Sequence, residues 1–153
     1  MRLLRATKER LVFHLTKREK HLLLIVLELY PCVPPAHARL TKSSKIPGGE
    51  SSQRLLDEAL AEHRAENKKQ LDALLAAPRR FRDTAGGCEF SLAVGDFEWL
   101  LQILNDIRVG SWVRLGAPEE KIEVLTEQNV PDLWAMELAG AFQMQLLGAM
   151  EGA

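Results

Sequence analysis

The chain has 153 residues and a mass of 17.2 kDa, the size of one ordinary domain, and is 46% hydrophobic and 27% charged. With seven prolines and ten glycines it falls outside the collagen-like, intrinsically disordered and disulfide-dense classes. The formal net charge of -1 conceals an asymmetry: residues 1–80 carry 16 Lys and Arg against 9 Asp and Glu, whereas residues 81–153 carry 4 against 12. Two readings follow. Either the basic half packs on the acidic half, within the fold or across a dimer, or the basic N-terminal segment meets an anionic partner.

Nine aromatic residues in a chain dominated by Leu and Ala favour helices over a β-sandwich. Along residues 2–15, Leu11, Phe13 and Leu15 alternate with Val12 and His14 as on a half-buried strand, which predicts a short hairpin. Thr16 and Glu19 have capping-box spacing, so a first helix should run from Lys17 to about Tyr30. Its apolar residues cover nearly the whole circumference, as in a central helix surrounded by others. Residues 31–50 contain Pro31, Pro34, Pro35, Pro47, Gly48 and Gly49 and read as one long loop, either an interaction element or a tolerated insertion.

A second helix is predicted from Ser51 or Ser52 through Leu75, with Pro78 ending it. Its stretch from Glu62 to Gln70 has no large hydrophobe and should lie on solvent or project beyond the core. After Gly86 and Gly87, the alternation of Cys88, Phe90 and Leu92 matches that of Leu11, Phe13 and Leu15, predicting that the two runs pair antiparallel. Asp96 reads as the N-cap of a third helix, Phe97 to Leu115, closed by Gly116 and Pro118. On it Phe97, Leu100, Ile103, Leu104, Ile107, Ser111 and Leu115 share one broad face, with Trp99, Val109 and Val113 opposite. An acidic connector over residues 116–131 then leads to a last helix, Pro131 to Met150, with an extensive apolar surface. The expected fold is a single α+β domain over residues 1–153, predominantly α, with four main helices and a small antiparallel sheet.

The basic stretch through Lys20, the apolar run Leu22 to Leu27 and Ala36-His37-Ala38 imitate a secretory leader. Charges alternating with hydrophobes, and the interruptions at Glu28 and Pro31, argue against that reading. No run approaches the roughly 18 apolar residues of a membrane span. Cys32 and Cys88 form neither a disulfide framework nor a zinc-ligand spacing. A reducing cytoplasm and no membrane contact are therefore expected.

The most unusual local feature is Asn105-Asp106-Ile107-Arg108, where ionised groups interrupt an apolar helix. Asp106 and Arg108 stand about 200° apart around the axis and cannot pair, while Asn105 and Arg108 can point together. Each charge then needs a mate, water or a ligand; Glu28, Glu58 and Glu137 are the mates available to Arg108. The cluster reads as a polar lock between helices, with ligand binding as the alternative. Arg10, Lys17, Arg18 and Lys20, in a segment that also holds Arg2, Arg5 and Lys8, form the candidate anionic-partner face, and Arg79, Arg80 and Arg82 offer further phosphate contacts. Cys32, placed in the Pro-rich loop near His37, and Cys88, inward on a strand, are the candidate redox residues.

Nothing in the chain matches GxSxG, a P-loop, GxGxxG or HExxH, and His14, His21, His37 and His63 share no ligand spacing. Gly86-Gly87-Cys88 reads as a tight turn, not a nucleophile elbow. No catalytic residue, cofactor or metal is expected.

The stretch Trp99-Leu-Leu-Gln-Ile-Leu-Asn105-Asp106-Ile-Arg108 resembles the W-[IL]-x-x-[LV]-N-D-[IL]-R signature of the bacterial DUF2017 family, a domain of unknown function, with one residue more between Trp99 and Asn105 than the signature has. The opening strand and helix, the Lys68-Lys69-Gln70-Leu71 helix before Gly-Gly and a strand, and a Trp134-containing last helix ending Leu146-Leu147-Gly148 extend the resemblance. After Arg108 the chain departs from the family's aliphatic and small-residue run with Val109-Gly110-Ser111-Trp112. The resemblance implies a cytoplasmic helical protein without known catalysis; some actinobacterial relatives carry a label of transcriptional control under oxidative stress. The functional expectation is a non-enzymatic regulatory or adaptor-type module that binds a macromolecule. A protein is the expected partner, a second copy included. The alternatives are a DNA-binding redox-responsive regulator and a small enzyme with an unrecognised site.

Overall fold

Alternation at residues 11–15 and 88–92 builds the sheet in the computed structural model, which describes residues 1–32, 49–120 and 122–151. Strands β1 (Arg2–Ala6), β2 (Arg10–Leu15), β3 (Phe81–Thr84) and β4 (Gly87–Ala93) form one antiparallel sheet in the order β1-β2-β4-β3. Leu11 stands opposite Leu92, Phe13 opposite Phe90 and Leu15 opposite Cys88, so all six side chains share one face, and all six are buried. β3 escapes sequence reading because Phe-Arg-Asp-Thr carries a single hydrophobe. That residue, Phe81, stacks on Phe90 with ring centroids 4.8 Å apart.

Three helices cover this face. Helix α1 (Lys17–Glu28) starts at the expected capping box: Thr16 Oγ1 accepts from the Glu19 N–H at 3.1 Å, and Glu19 Oε2 accepts from the Thr16 N–H at 2.8 Å. Burial pushes the Glu19 carboxyl up, but the amino group of Met1 and the two Thr16 donors more than offset it and hold the carboxyl below the usual glutamate range. Leu23, Val26 and Leu27 are buried, whereas Leu24 and Ile25 are half-buried and Leu29 is exposed. Among the described residues, α1 is therefore covered on one side, not all round as its composition suggested. Most of the loop expected at 31–50, His37 included, lies outside the described residues.

The central element is α3 (Val94–Arg114), whose Phe97, Leu100, Ile103, Leu104, Ile107, Gly110 and Ser111 are buried. Phe97 stacks on Phe13 of the sheet with centroids 6.0 Å apart. α4 (Val130–Glu151) packs along α3 through Ala135, Ala139, Phe142 and Leu146, one stripe at helical spacing. Small residues at this seam let the two helices approach closely.

Asp96 is not the N-cap of α3. Ala93 holds that position without a side-chain bond, and Asp96 sits in the first turn, where its charge suits the helix dipole and pairs with Arg80 at 3.2 Å. The other end closes as expected. Gly116, at φ 86°, follows the Leu115 C-cap; the Gly116 N–H bonds the Val113 carbonyl and the Ala117 N–H the Trp112 carbonyl, a Schellman pair.

Helix α2 (Gly49–Ala76) buries only Leu71 and Leu74 of its 28 residues, and Leu55 is 65% exposed. The polar stretch at 62–70 thus projects along the surface of α3 instead of entering the core, as its composition predicted.

Candidate functional site

The Trp99 to Arg108 motif does not act as one cluster. Trp99 and Asp106, seven residues apart, lie on the side of α3 that faces α2, where Leu60, His63, Arg64 and Asn67 complete a cleft of roughly 620 Å³. Asn67 is its hub: Trp99 Nε1 donates to Asn67 Oδ1 at 3.3 Å, and Asn67 Nδ2 reaches the buried Tyr30 hydroxyl at 3.2 Å and His63 Nε2 at 3.3 Å. This network ties α2 to α3 and to the end of α1. The sequence predicts a polar lock at Asn105, Asp106 and Arg108; the network that joins these elements is made by Trp99, Asn67, Tyr30 and His63 instead.

Asn105 and Arg108 do point together, with Arg108 Nη2 donating to Asn105 Oδ1 at 2.9 Å, but Arg108 is exposed. None of Glu28, Glu58 and Glu137 pairs with it among the described residues; Glu58 instead neighbours Arg54. The stem of Arg108 lies against Gly140 of α4, so the residue contributes packing and not a buried charge.

Asp106 faces Arg64 and His63 across the cleft without a hydrogen bond among the described residues. Burial pushes its carboxyl above the usual aspartate range, and Arg64 and His63 pull it back only in part. A raised folded pKa means that ionised Asp106 opposes folding: the contribution is neutral below the unfolded value near 3.9 and turns unfavourable as pH rises through the folded one. Asp106→Asn should therefore raise the thermal midpoint at pH 7 and leave it unchanged near pH 3. Midpoints measured at both values check this, and a loss at pH 7 would mean that Asp106 holds the helices together. The cleft brings a carboxylate and an imidazole near each other, but no hydroxyl or thiol nucleophile is among the residues that line it.

Both cysteines are buried. Cys32 is 2% exposed, its Sγ donating to the Leu29 carbonyl at 3.0 Å, which corrects the expectation of an accessible loop thiol. Burial pushes both thiols up, against a pull from Arg114 on Cys32 and from Lys20 on Cys88. They lie beyond opposite ends of α1, a 12-residue helix about 18 Å long, and are far too distant for a disulfide in this fold.

The predicted basic face is also regrouped. Arg10 opens β2 while Lys17, Arg18 and Lys20 follow its far end, so these four residues do not form one patch. Lys20 is engaged with Asp83 at 3.2 Å and lies over the Phe81 ring at 5.2 Å. Arg80 is not a free phosphate ligand: Nε donates to the Leu74 carbonyl at 2.9 Å, Nη1 to the Ser91 carbonyl at 2.6 Å, and Nη2 meets Asp96. Arg82 donates to Glu89 at 2.7 Å.

A second concavity lies at the far end of α3. Trp112 folds over the acidic connector, its Nε1 donating to the Pro118 carbonyl at 3.1 Å, and Asn129 Nδ2 holds the Val124 carbonyl at 2.9 Å. Arg114 and Asp132 tie the two helix ends together at 3.6 Å. The connector so held forms, with α4, a groove of roughly 710 Å³ with an apolar floor of Trp112, Leu125, Leu133 and Met136 and the carboxylates of Glu120, Glu123 and Glu137 around it. Val124 and Leu125 are 72% and 64% exposed. Residue spacing gave only the acidic residues; the apolar lining arises because Trp112 of α3 and Leu133 and Met136 of α4 border the same groove.

Among the described residues no group of three His, Cys, Asp or Glu is placed to hold a metal, and no helix is long and apolar enough to cross a membrane. A scan of protein-family models, a search of curated proteins and a search of solved structures each return no match for the chain.

Proposed function

We propose that the chain is a non-enzymatic regulatory or adaptor-type module that binds a protein partner through the groove between the acidic connector and α4. The groove itself carries this reading: among the described residues, the exposed Trp112 and Leu125 line it beside Leu133 and Met136, together with the acidic Glu120, Glu123 and Glu137. Such an apolar floor with an acidic rim suits a basic amphipathic helix, whose apolar face would be desolvated while its lysines meet the rim. The resemblance of residues 99–108 to a family without known catalysis and the unpaired cysteines agree with a cytoplasmic regulatory role. The redox regulator is supported less well, because both thiols are inaccessible.

The test is fluorescence anisotropy of a labelled 18-residue Leu/Lys amphipathic peptide titrated with the full chain. Leu125→Glu should weaken binding at least tenfold by inserting a charge into the floor. Glu120→Lys with Glu123→Lys should weaken it severalfold, mainly through slower association. Equal affinity of both variants and the parent chain would overturn the groove as the contact surface. Exposed Trp134, Met144 and Leu147 on α4 favour a second copy as an alternative partner. A concentration-dependent dimer in sedimentation velocity, lost in Met144→Glu, would support that reading.

A further inference from the structure

The helices cover one face of the sheet, and the pairing registers fix what stands on the other. Arg2 lies opposite His14, His14 opposite Glu89 and Glu89 opposite Arg82, so one row of polar side chains crosses all four strands. In the next row Arg5 lies opposite Val12 and Val12 opposite Ser91, and Arg10 opens β2 on the same side. Glu89 reports the crowding. Its bond from Arg82, with Arg5 and His14 nearby, outweighs desolvation and holds its carboxyl below the usual range. Arg2, Arg5 and Arg10 are exposed and make no side-chain hydrogen bond or ion pair among the described residues.

The character of this face selects its partner. Phe13, Phe81 and Phe90 all turn to the helix side, which leaves His14 as the one ring in these rows, too little for a platform on which successive unpaired bases stack. Nothing larger than Val12 and Leu4 interrupts the charge, so the face lacks the apolar anchor that a protein partner or a bilayer would bury. What remains is a set of guanidinium forks, whose planar geometry suits phosphate. Three strand spacings of about 4.8 Å separate Arg2 from Arg82, roughly 14 Å, close to the ~12 Å width of a B-form major groove. Arg82 at the far edge is held by Glu89, so the contacts of the parent chain fall to Arg2 and Arg5 on β1 and Arg10 on the neighbouring β2.

We propose that the outer face of the sheet docks the phosphate backbone of double-stranded nucleic acid, with Arg2, Arg5 and Arg10 as the phosphate ligands and no reading of bases. The surface is remote from the connector groove, and the proposal stands independently of the protein-binding reading.

The experiment is anisotropy of a labelled 20-base-pair duplex of mixed sequence, titrated with the full chain at 50 and 200 mM salt. Three phosphate contacts predict an affinity about 40-fold weaker at the higher salt. Reversal of Arg2, Arg5 and Arg10 to Glu should abolish binding, with folding verified by circular dichroism. Glu89→Gln, which removes the one carboxylate in the row and frees Arg82, should strengthen it severalfold. Absence of duplex binding at 50 mM salt would overturn the proposal, as would binding that survives the triple reversal or the higher salt. Tighter binding of the matching single strand, of polyglutamate or of phosphatidylserine vesicles would assign the face to that occupant instead and equally overturn it.

Discussion

Gly87→Ala is expected to cost about 3 kcal/mol or more, enough to lower the thermal midpoint of a domain this size by roughly 10 °C. A Cβ built on Gly87 would lie 2.1 Å from the Leu15 carbonyl oxygen and 3.0 Å from Thr16 Cα. Both contacts are backbone, at the point where β2 hands over to the capping box of α1, so no side-chain rotation relieves them. Gly87 also holds φ at 155°, a region that alanine adopts only under strain. Relief would need β4 to move away from β2, which breaks the central pairing of the sheet. Gly86 provides the control. Its added Cβ would meet only His14 Nε2 at 3.9 Å, so Gly86→Ala should stay within about 0.5 kcal/mol of the parent. Urea denaturation of the two variants checks the contrast, and similar midpoints would show that β2 and β4 approach less closely than described.

Arg80→Ala is expected to cost roughly 2–4 kcal/mol, far more than Arg79→Ala or Arg82→Ala. One guanidinium joins three elements: the end of α2 through the Leu74 carbonyl, β4 through the Ser91 carbonyl, and the first turn of α3 through Asp96. Its side chain is only 15% exposed, so truncation takes the donor from two carbonyls in part-buried bonds and from the Asp96 carboxylate, itself 28% exposed. Arg82, by contrast, is 68% exposed and its pair with Glu89 is screened by solvent, so its loss should matter little. Lys in place of Arg80 should recover little, since an ammonium cannot serve three divergent acceptors. Equal effects at 79, 80 and 82 would mean that Arg80 is not the clamp described.

These two residues mark where sequence reading works and where it stops. Period-two hydrophobes at 11–15 and 88–92, the Thr16–Glu19 cap and the Gly116 terminator were legible because each is a local rule of backbone chemistry. The face of α3 that enters the core was legible for the same reason. β3 was not, because its strand is specified by the Ala85-Gly86 turn and by Phe90, not by its own pattern. The roles of Arg79, Arg80 and Arg82 were indistinguishable in sequence, since a guanidinium's partners are chosen by tertiary placement. The motif at 99–108 identified the right helix, but its lock runs from Trp99 through Asn67 to Tyr30, two of them on other elements and 32 or more positions from their partners. The apolar groove depends on Trp112 of α3 and Leu133 and Met136 of α4 bordering one concavity, again a meeting of distant segments.

The central claim is that this molecule works by binding at the connector groove while the polar cleft between α2 and α3 is structural. The most direct measurement is an amide ¹H–¹⁵N titration of the full chain with the Leu/Lys amphipathic peptide. Shifts concentrated at Trp112, Val124, Leu125, Leu133 and Met136 are the predicted result. Shifts centred on His63, Asn67 and Asp106, or a spectrum that does not respond at millimolar peptide, would contradict it.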